Sequence, residues 1–304
     1  MPIIRADDLL LAPPVPEPSL IGDGLLPIYG MMLLVGETET GKSVLAFDMA
    51  LSLILQQPLF GAFKQRHGEE GKPYFPVWKP CRILYLDSEL GLTGCYQRLK
   101  AFKEVRGIGV NFDDFLTFAT GEIDPLLIHD TKFDNGQGYR NLHKLIDETS
   151  PDVVILDHLG DFHLMDEDSN LMRVILKGLR YLQHKKKFAA IVLHHESDKQ
   201  LFTAQGQAIK KEGTGRQRGH SSIAQSVDTM IGVRREDKQS AQSIVKLEWL
   251  KVRHGRKPKP GYLLVDFARM LVKWVGPVNK VYPADRQRVV DNYRKENKIQ
   301  ELDD

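Results

Sequence analysis

The chain has 304 residues, 42% of them hydrophobic and 27% charged, which is ordinary for a soluble globular protein able to bury a core without staples. Its net charge of +2 is too small to argue for nucleic acid by itself, so only local basic clusters count. Cys81 and Cys95 form no CxxC pair, no apolar run reaches the roughly 18 residues of a membrane span, and no basic stretch precedes the first apolar one. A disulfide framework, a cysteine zinc site, a membrane span and a secretory leader are therefore not expected, and a reducing cytoplasm is.

Pro13, Pro14, Pro16 and Pro18 favour an extended arm over residues 1–28, lying on its own domain or reaching a neighbouring subunit. MMLLV from Met31 reads as a buried strand, followed by a glycine turn at 36–41. A helix is predicted over 43–56, with Leu45, Met49 and Leu53 on one face. Residues 57–80 are rich in glycine, proline and charge and read as a loop or small insertion. Next come strand 82–87, helix 91–105, strand 115–119, helix 138–148, strand 153–157, helix 170–184 and strand 189–194.

A long polar loop covers 196–221, and one more passage from helix to strand covers 222–233. Strands at 243–251 and 262–266 form a hairpin around a basic loop. The alternation predicts an α/β fold: a mostly parallel, twisted sheet with helices on both faces, closed by a C-terminal antiparallel hairpin. The expected division is one domain over 29–275 between the arm and a tail over 276–304 holding a short helix.

Residues 36–43, GETETGKS, fit GxxxxGK[ST] between an apolar strand and an apolar-striped helix. In such a loop the glycines let backbone N–H groups wrap phosphates, with the positive end of the helix behind them. The expected nucleotide contacts are Gly36, Glu37, Thr38, Glu39, Thr40, Gly41, Lys42, Ser43 and Val44. Lys42 reaches the β- and γ-phosphates of ATP, and Ser43 ligates Mg²⁺.

Asp157, ending PDVVILD, is placed to hold the same metal. His158 follows it where a glutamate would serve as base, so Glu89, just past strand 82–87, becomes the candidate to activate water. The alternative for Glu89 is a solvated loop carboxylate. His194 and His195 end an apolar strand at the edge expected to face the γ-phosphate; they read as a phosphate sensor or as hydrogen-bonded structure.

The segments LIGDGLLPIYGMMLLVGETETGKS, ILYLDSE, PDVVILDHLGDF, IVLHHESDK, RGHSSIAQSVDTMIGV and LKVRHG occur in that order. Together they resemble the RecA-like superfamily, and within it the RepA-type hexameric replicative ATPases of plasmids and phages; DnaB-type helicases are more distant. The resemblance runs from about Ser19 to Phe267. It implies Glu89 as catalytic base, the histidine pair as sensor with Lys199 nearby, and Lys251 and Arg253 supplied in trans to a neighbour's ATP. It also implies a homo-hexameric ring with ATP sites between subunits. The chain departs from the family in an acidic phosphate loop, with Glu37 and Glu39, and from DnaB-type helicases in lacking their separate N-terminal domain.

Lys199, Lys210, Lys211, Arg216 and Arg218 cluster in the polar loop beside Phe202, a pattern suited to single-stranded DNA or to a merely solvated face. A second basic stretch, 246–259, is assigned to the subunit interface. The expected function is an ATP-driven helicase motor on single-stranded DNA. A nucleotide-gated DNA-binding or assembly factor, and a P-loop kinase, are the alternatives.

Overall fold

The computed structural model describes residues 6, 11, 18–66, 69–106, 112, 114–120, 137–162, 172–195 and 221–299. In chain order the elements are β1 (Ser19–Ile21), β2 (Leu26–Pro27), β3 (Met31–Gly36), α1 (Lys42–Ile54), β4 (Phe63–Arg66), β5 (Glu69–Pro73), β6 (Ile83–Asp87), α2 (Gly91–Arg106) and β7 (Leu116–Thr120). Then follow α3 (Gln137–Thr149), β8 (Val153–Asp157), α4 (Met172–Lys186), β9 (Ala189–His195), α5 (Ser221–Ser226), β10 (Thr229–Arg235), β11 (Gln242–Val252), β12 (Gly261–Asp266), β13 (Leu271–Pro277) and α6 (Pro283–Glu296).

One nine-stranded sheet runs β13-β12-β11-β10-β3-β9-β8-β6-β7. From β10 to β7 every pairing is parallel; β10, β11, β12 and β13 pair antiparallel. The α/β fold with a mostly parallel sheet is as expected from the alternation of apolar segments. The expected C-terminal hairpin is β11–β12, and β13 adds a strand that the sequence reading did not resolve.

Period-two geometry explains why the central strands are apolar throughout. In β3, Met32 and Leu34 point into the core beneath α1 and α2, while Met31, Leu33 and Val35 enter the core beneath α3, α4 and α5. On the first face Phe47 of α1 stacks on Phe102 at 5.1 Å and packs near Tyr85 at 5.4 Å and Phe118 at 5.7 Å. Such aromatic pairs add about 0.5–1.5 kcal/mol each beyond area burial. A smaller cluster, Ile244, Tyr262, Leu264, Val290 and Tyr293, seats α6 against the antiparallel strands. There the Tyr293 hydroxyl donates to Asp266 at 3.0 Å, and Arg286 pairs with Glu236.

Residues 19–27, within the expected arm, form the β1–β2 ribbon, whose Leu20, Ile21, Leu25 and Leu26 enter the main core. The ribbon is tied to the insertion at 57–80, which folds as the β4–β5 hairpin and a following extended stretch. Gly22 N–H donates to Pro76 O at 2.8 Å, and Trp78 donates from its backbone to Leu20 O at 3.1 Å and from its indole to Gly22 O at 3.0 Å. At its tip the ribbon meets the loop after β11. A Cβ on Gly24 would lie 2.3 Å from His254 O, and one on Gly255 only 1.7 Å from Asp23 O.

Candidate nucleotide site

Parallel register assembles the site. Gly36 pairs with His195 across β3–β9, and Asp87 pairs with Asp157 across β6–β8, so the strand ends form one C-terminal edge. Ligands in open α/β sheets bind outside that edge.

The loop after β3 turns through Gly41 at φ +93 into α1, whose N-terminus has no side-chain cap. That leaves first-turn N–H groups available to an anion. A side chain at Gly41 would also meet the Phe267 ring at 2.7 Å. Lys42 is 5% exposed, and its ammonium donates to Gly36 O at 2.9 Å and Glu37 O at 2.7 Å. The loop thus curls around its own lysine. Its acidic side chains turn outward: Glu37 pairs with Lys238 at 2.9 Å, and Glu39 lies exposed.

Asp157 is 4% exposed. Its Oδ1 accepts the Ser43 hydroxyl at 3.0 Å, its Oδ2 accepts the Tyr85 hydroxyl at 2.7 Å, and Arg98 stands 3.9 Å away. Burial pushes its carboxyl up, opposed by the Tyr85 and Ser43 hydrogen bonds and the Arg98 charge. Burial likewise drives the Tyr85 phenol well above its ordinary value. Ser43 and Asp157 therefore present two oxygen donors side by side, the ligand type Mg²⁺ requires. With the ammonium and the free N–H groups beside them, the residues fit a magnesium nucleotide.

Asp87 is occupied as a turn former, its Oδ1 accepting Glu89 N–H at 3.1 Å and Leu90 N–H at 2.7 Å. Burial raises its carboxyl as well. The turn projects Glu89 past the sheet edge, where its Oε1 lies 3.1 Å from His158 Nδ1 and 4.0 Å from His195 Nε2. His158 also stands 3.3 Å from Asp161, which accepts the Ser88 hydroxyl at 2.6 Å. The Asp157–His158 peptide is cis.

The histidine pair divides. His194 is fully buried, whereas His195 stands at the lip with Nδ1 3.2 Å from the Lys42 ammonium and its ring 4.3 Å from that of His158. Burial, then the charge of Lys42, pulls His195 down to about 4, so its imidazole is neutral near pH 7.

Lys251 and Arg253 lie elsewhere. Lys251 pairs with Met230 near the start of β10, and β10 runs parallel to β3, so both residues sit at the edge opposite the phosphate loop. The Lys251 ammonium donates to Ala224 O at 2.6 Å and Val227 O at 2.7 Å, and burial lowers its pKa. Arg253 donates to Asp228 at 3.1 Å and to Gln225 O at 2.8 Å. Asp228 is 1% exposed and also accepts Arg180 at 2.7 Å, Met31 N–H at 2.9 Å and a contact from His254 at 3.2 Å. Burial alone would raise its carboxyl, but Arg180, Met31 N–H and His254 outweigh burial and hold it below the carboxylate range. Neither cation reaches the nucleotide edge of its own chain.

Lys199, Lys210, Lys211, Arg216 and Arg218 fall within 196–220, outside the described residues. Sequence reasoning missed Tyr85, Arg98, His158 and Asp228. Tyr85 was hidden inside an apolar run. His158 had a signal, its place directly after the strand-end acid. No helix among the described residues is long and apolar enough to cross a membrane.

A family model described as an AAA domain matches residues 4–200, from before β1 through β9, and so takes in the phosphate loop, Asp157 and both histidines. No curated protein matches the chain.

Proposed function

The chain belongs to the AAA domain family of P-loop ATPases, and on that premise we propose that it is a ring-forming Mg-ATPase that acts as a motor on single-stranded DNA. A cytoplasmic replicative helicase of a plasmid, phage or other mobile element is the specific form of this reading, with residues 29–275 as its ATPase domain. The observation that carries it is the separation of Lys251 and Arg253 from their own phosphate loop by the length of the parallel strands. A cation at that edge serves ATP only when a second copy docks head-to-tail, and repeated head-to-tail contacts close into rings.

Within one site, Lys42 and the loop N–H groups bind the phosphates, and Ser43 with Asp157 holds magnesium. Bound magnesium supplies charge neutralisation at the phosphate oxygens. Glu89 orients water and takes its proton, and His158 and His195 flank that carboxylate. His195, in contact with Lys42, is better placed than buried His194 to register the γ-phosphate. The neighbour's Arg253, released from Asp228, offsets charge on the transferring phosphoryl group.

The test is mass determination with and without an ATP analogue, on wild type and Arg253→Ala, together with ATPase measured with and without single-stranded DNA. Assembly of the variant without turnover, and stimulation of the wild type by DNA, are expected. Absence of stimulation by any nucleic acid overturns the motor reading. The acidic composition of the phosphate loop, with Glu37 and Glu39, favours a second reading, a nucleotide-gated oligomeric DNA-binding or assembly factor. ATP turnover without strand displacement would favour that one.

A further inference from the structure

His158 has a buried Nδ1 that makes no directed hydrogen bond among the described residues, although two carboxylates surround it. Buried polar atoms are rarely left so, and an orphan of this kind asks for a ligand. The ligating atoms of Glu89, His158 and His195 all lie within 4.8 Å of one another. Donors placed about 2.0–2.2 Å from a tetrahedral zinc ion stand roughly 3.3–3.6 Å apart. The separations of 3.1 Å for Glu89–His158 and 4.0 Å for Glu89–His195 bracket that spacing. Asp161 stands 3.3 Å from His158 Nδ1, beside this group of three.

We propose that Glu89, His158 and His195 form a binding site for a divalent transition metal, zinc foremost, whose occupancy withdraws the Glu89 carboxylate from ATP hydrolysis. The donor set selects the ion. Two imidazoles and a carboxylate suit zinc, whereas magnesium and calcium take oxygen ligands. The site is therefore chemically distinct from the Ser43–Asp157 pair, and excess magnesium does not fill it. Glu89 is exposed and the two imidazoles are partly exposed, so an ion approaches from the Glu89 side.

Lys42 sets the limit on affinity. Its ammonium faces His195 Nδ1 at 3.2 Å and, as a donor, places the imidazole proton on Nε2. Metal binding at Nε2 requires that proton to shift to Nδ1, where it displaces the Lys42 contact and leaves the ammonium on Gly36 O and Glu37 O. His158 and Glu89 are accordingly the leading ligands and His195 the third.

The inhibitory half rests on Glu89 acting as base; the binding half does not. The nucleotide-free full chain, stripped with a chelator, is titrated with zinc by calorimetry and with cobalt(II) by visible absorption. Wild type is expected to bind one zinc saturably, to give the intense cobalt bands of tetrahedral coordination, and to keep both in excess magnesium. His158→Ala and, as a second variant, His195→Gln should each bind zinc at least roughly tenfold more weakly. Equal zinc binding by wild type and both variants overturns the site. ATPase is then measured against zinc: inhibition in wild type, reversed by chelator and lost in His158→Ala, supports the proposal. Zinc bound at this site with turnover unchanged leaves the metal site standing and overturns both the inhibition and the role of Glu89 as base.

Discussion

Tyr85→Phe removes one oxygen and leaves the ring in its aromatic cluster, so its effect isolates a single hydrogen bond. That bond, from the buried phenol to Asp157 Oδ2, is 2.7 Å long. A hydrogen bond to a charged group contributes about 1.5–3 kcal/mol. Because Asp157 keeps Ser43 at 3.0 Å and Arg98 at 3.9 Å, the loss belongs at the lower end, about 1.5–2 kcal/mol, or roughly 2–3 °C in Tm for a chain of this length. The sign with pH is fixed by Asp157. Burial raises its folded pKa above the unfolded value, so the ionised carboxylate costs stability as pH rises through that folded value. Removal of a bond that favours the ionised form makes this cost larger at neutral pH and leaves it smaller in acid. Urea unfolding of the metal-free protein across pH should show the penalty shrinking as Asp157 takes up its proton. In parallel, a magnesium titration of nucleotide binding should move to about tenfold higher concentration, since the carboxylate loses the partner that orients it. Wild-type stability at neutral pH together with an unchanged magnesium requirement would refute the reasoning.

Gly41→Ala combines a left-handed φ of +93 with a Cβ placed 2.7 Å from the Phe267 ring, so a loss of about 1–3 kcal/mol and weakened nucleotide binding are expected by thermal shift with and without ADP. Asp228→Asn leaves Arg180 and Arg253 without their shared anion; since both guanidiniums are partly exposed, about 2 kcal/mol is expected in chemical denaturation. The stabilisation given by the low Asp228 pKa is present above the unfolded value of about 3.9 and is lost as pH falls below it, so the variant should lack that acid component. His195, held down to about 4, leaves the folded chain short of a proton that the unfolded chain binds below about 6.5. Wild type should therefore lose stability between those values, and His195→Gln should lose less over the same interval, read as Tm against pH.

The sheet was legible because its central strands are uninterrupted apolar runs ending in Gly36, Asp87, Asp157 and the two histidines. A strand end fixes where a side chain emerges, so the sequence placed these groups on one edge without any three-dimensional information. It did not show that Asp87 and Asp157 pair in register, since that depends on how the crossover helices set neighbouring strands. β13 escaped notice because an edge strand is only partly buried and its apolar alternation is weak. The β1–β2 ribbon was masked by flanking prolines and by brevity. His158 was read only as the absence of a glutamate, because its proximity to Glu89 comes from two loops that approach over the strand ends.

The close approach of Gly24 and Gly255 joins backbone to backbone, with no side chain between them to give way. The same ribbon is stitched through Trp78 to the extended stretch that follows the inserted hairpin, and Gly255 lies two positions beyond Arg253. A side chain at either glycine would force the ribbon and the loop that follows Arg253 apart.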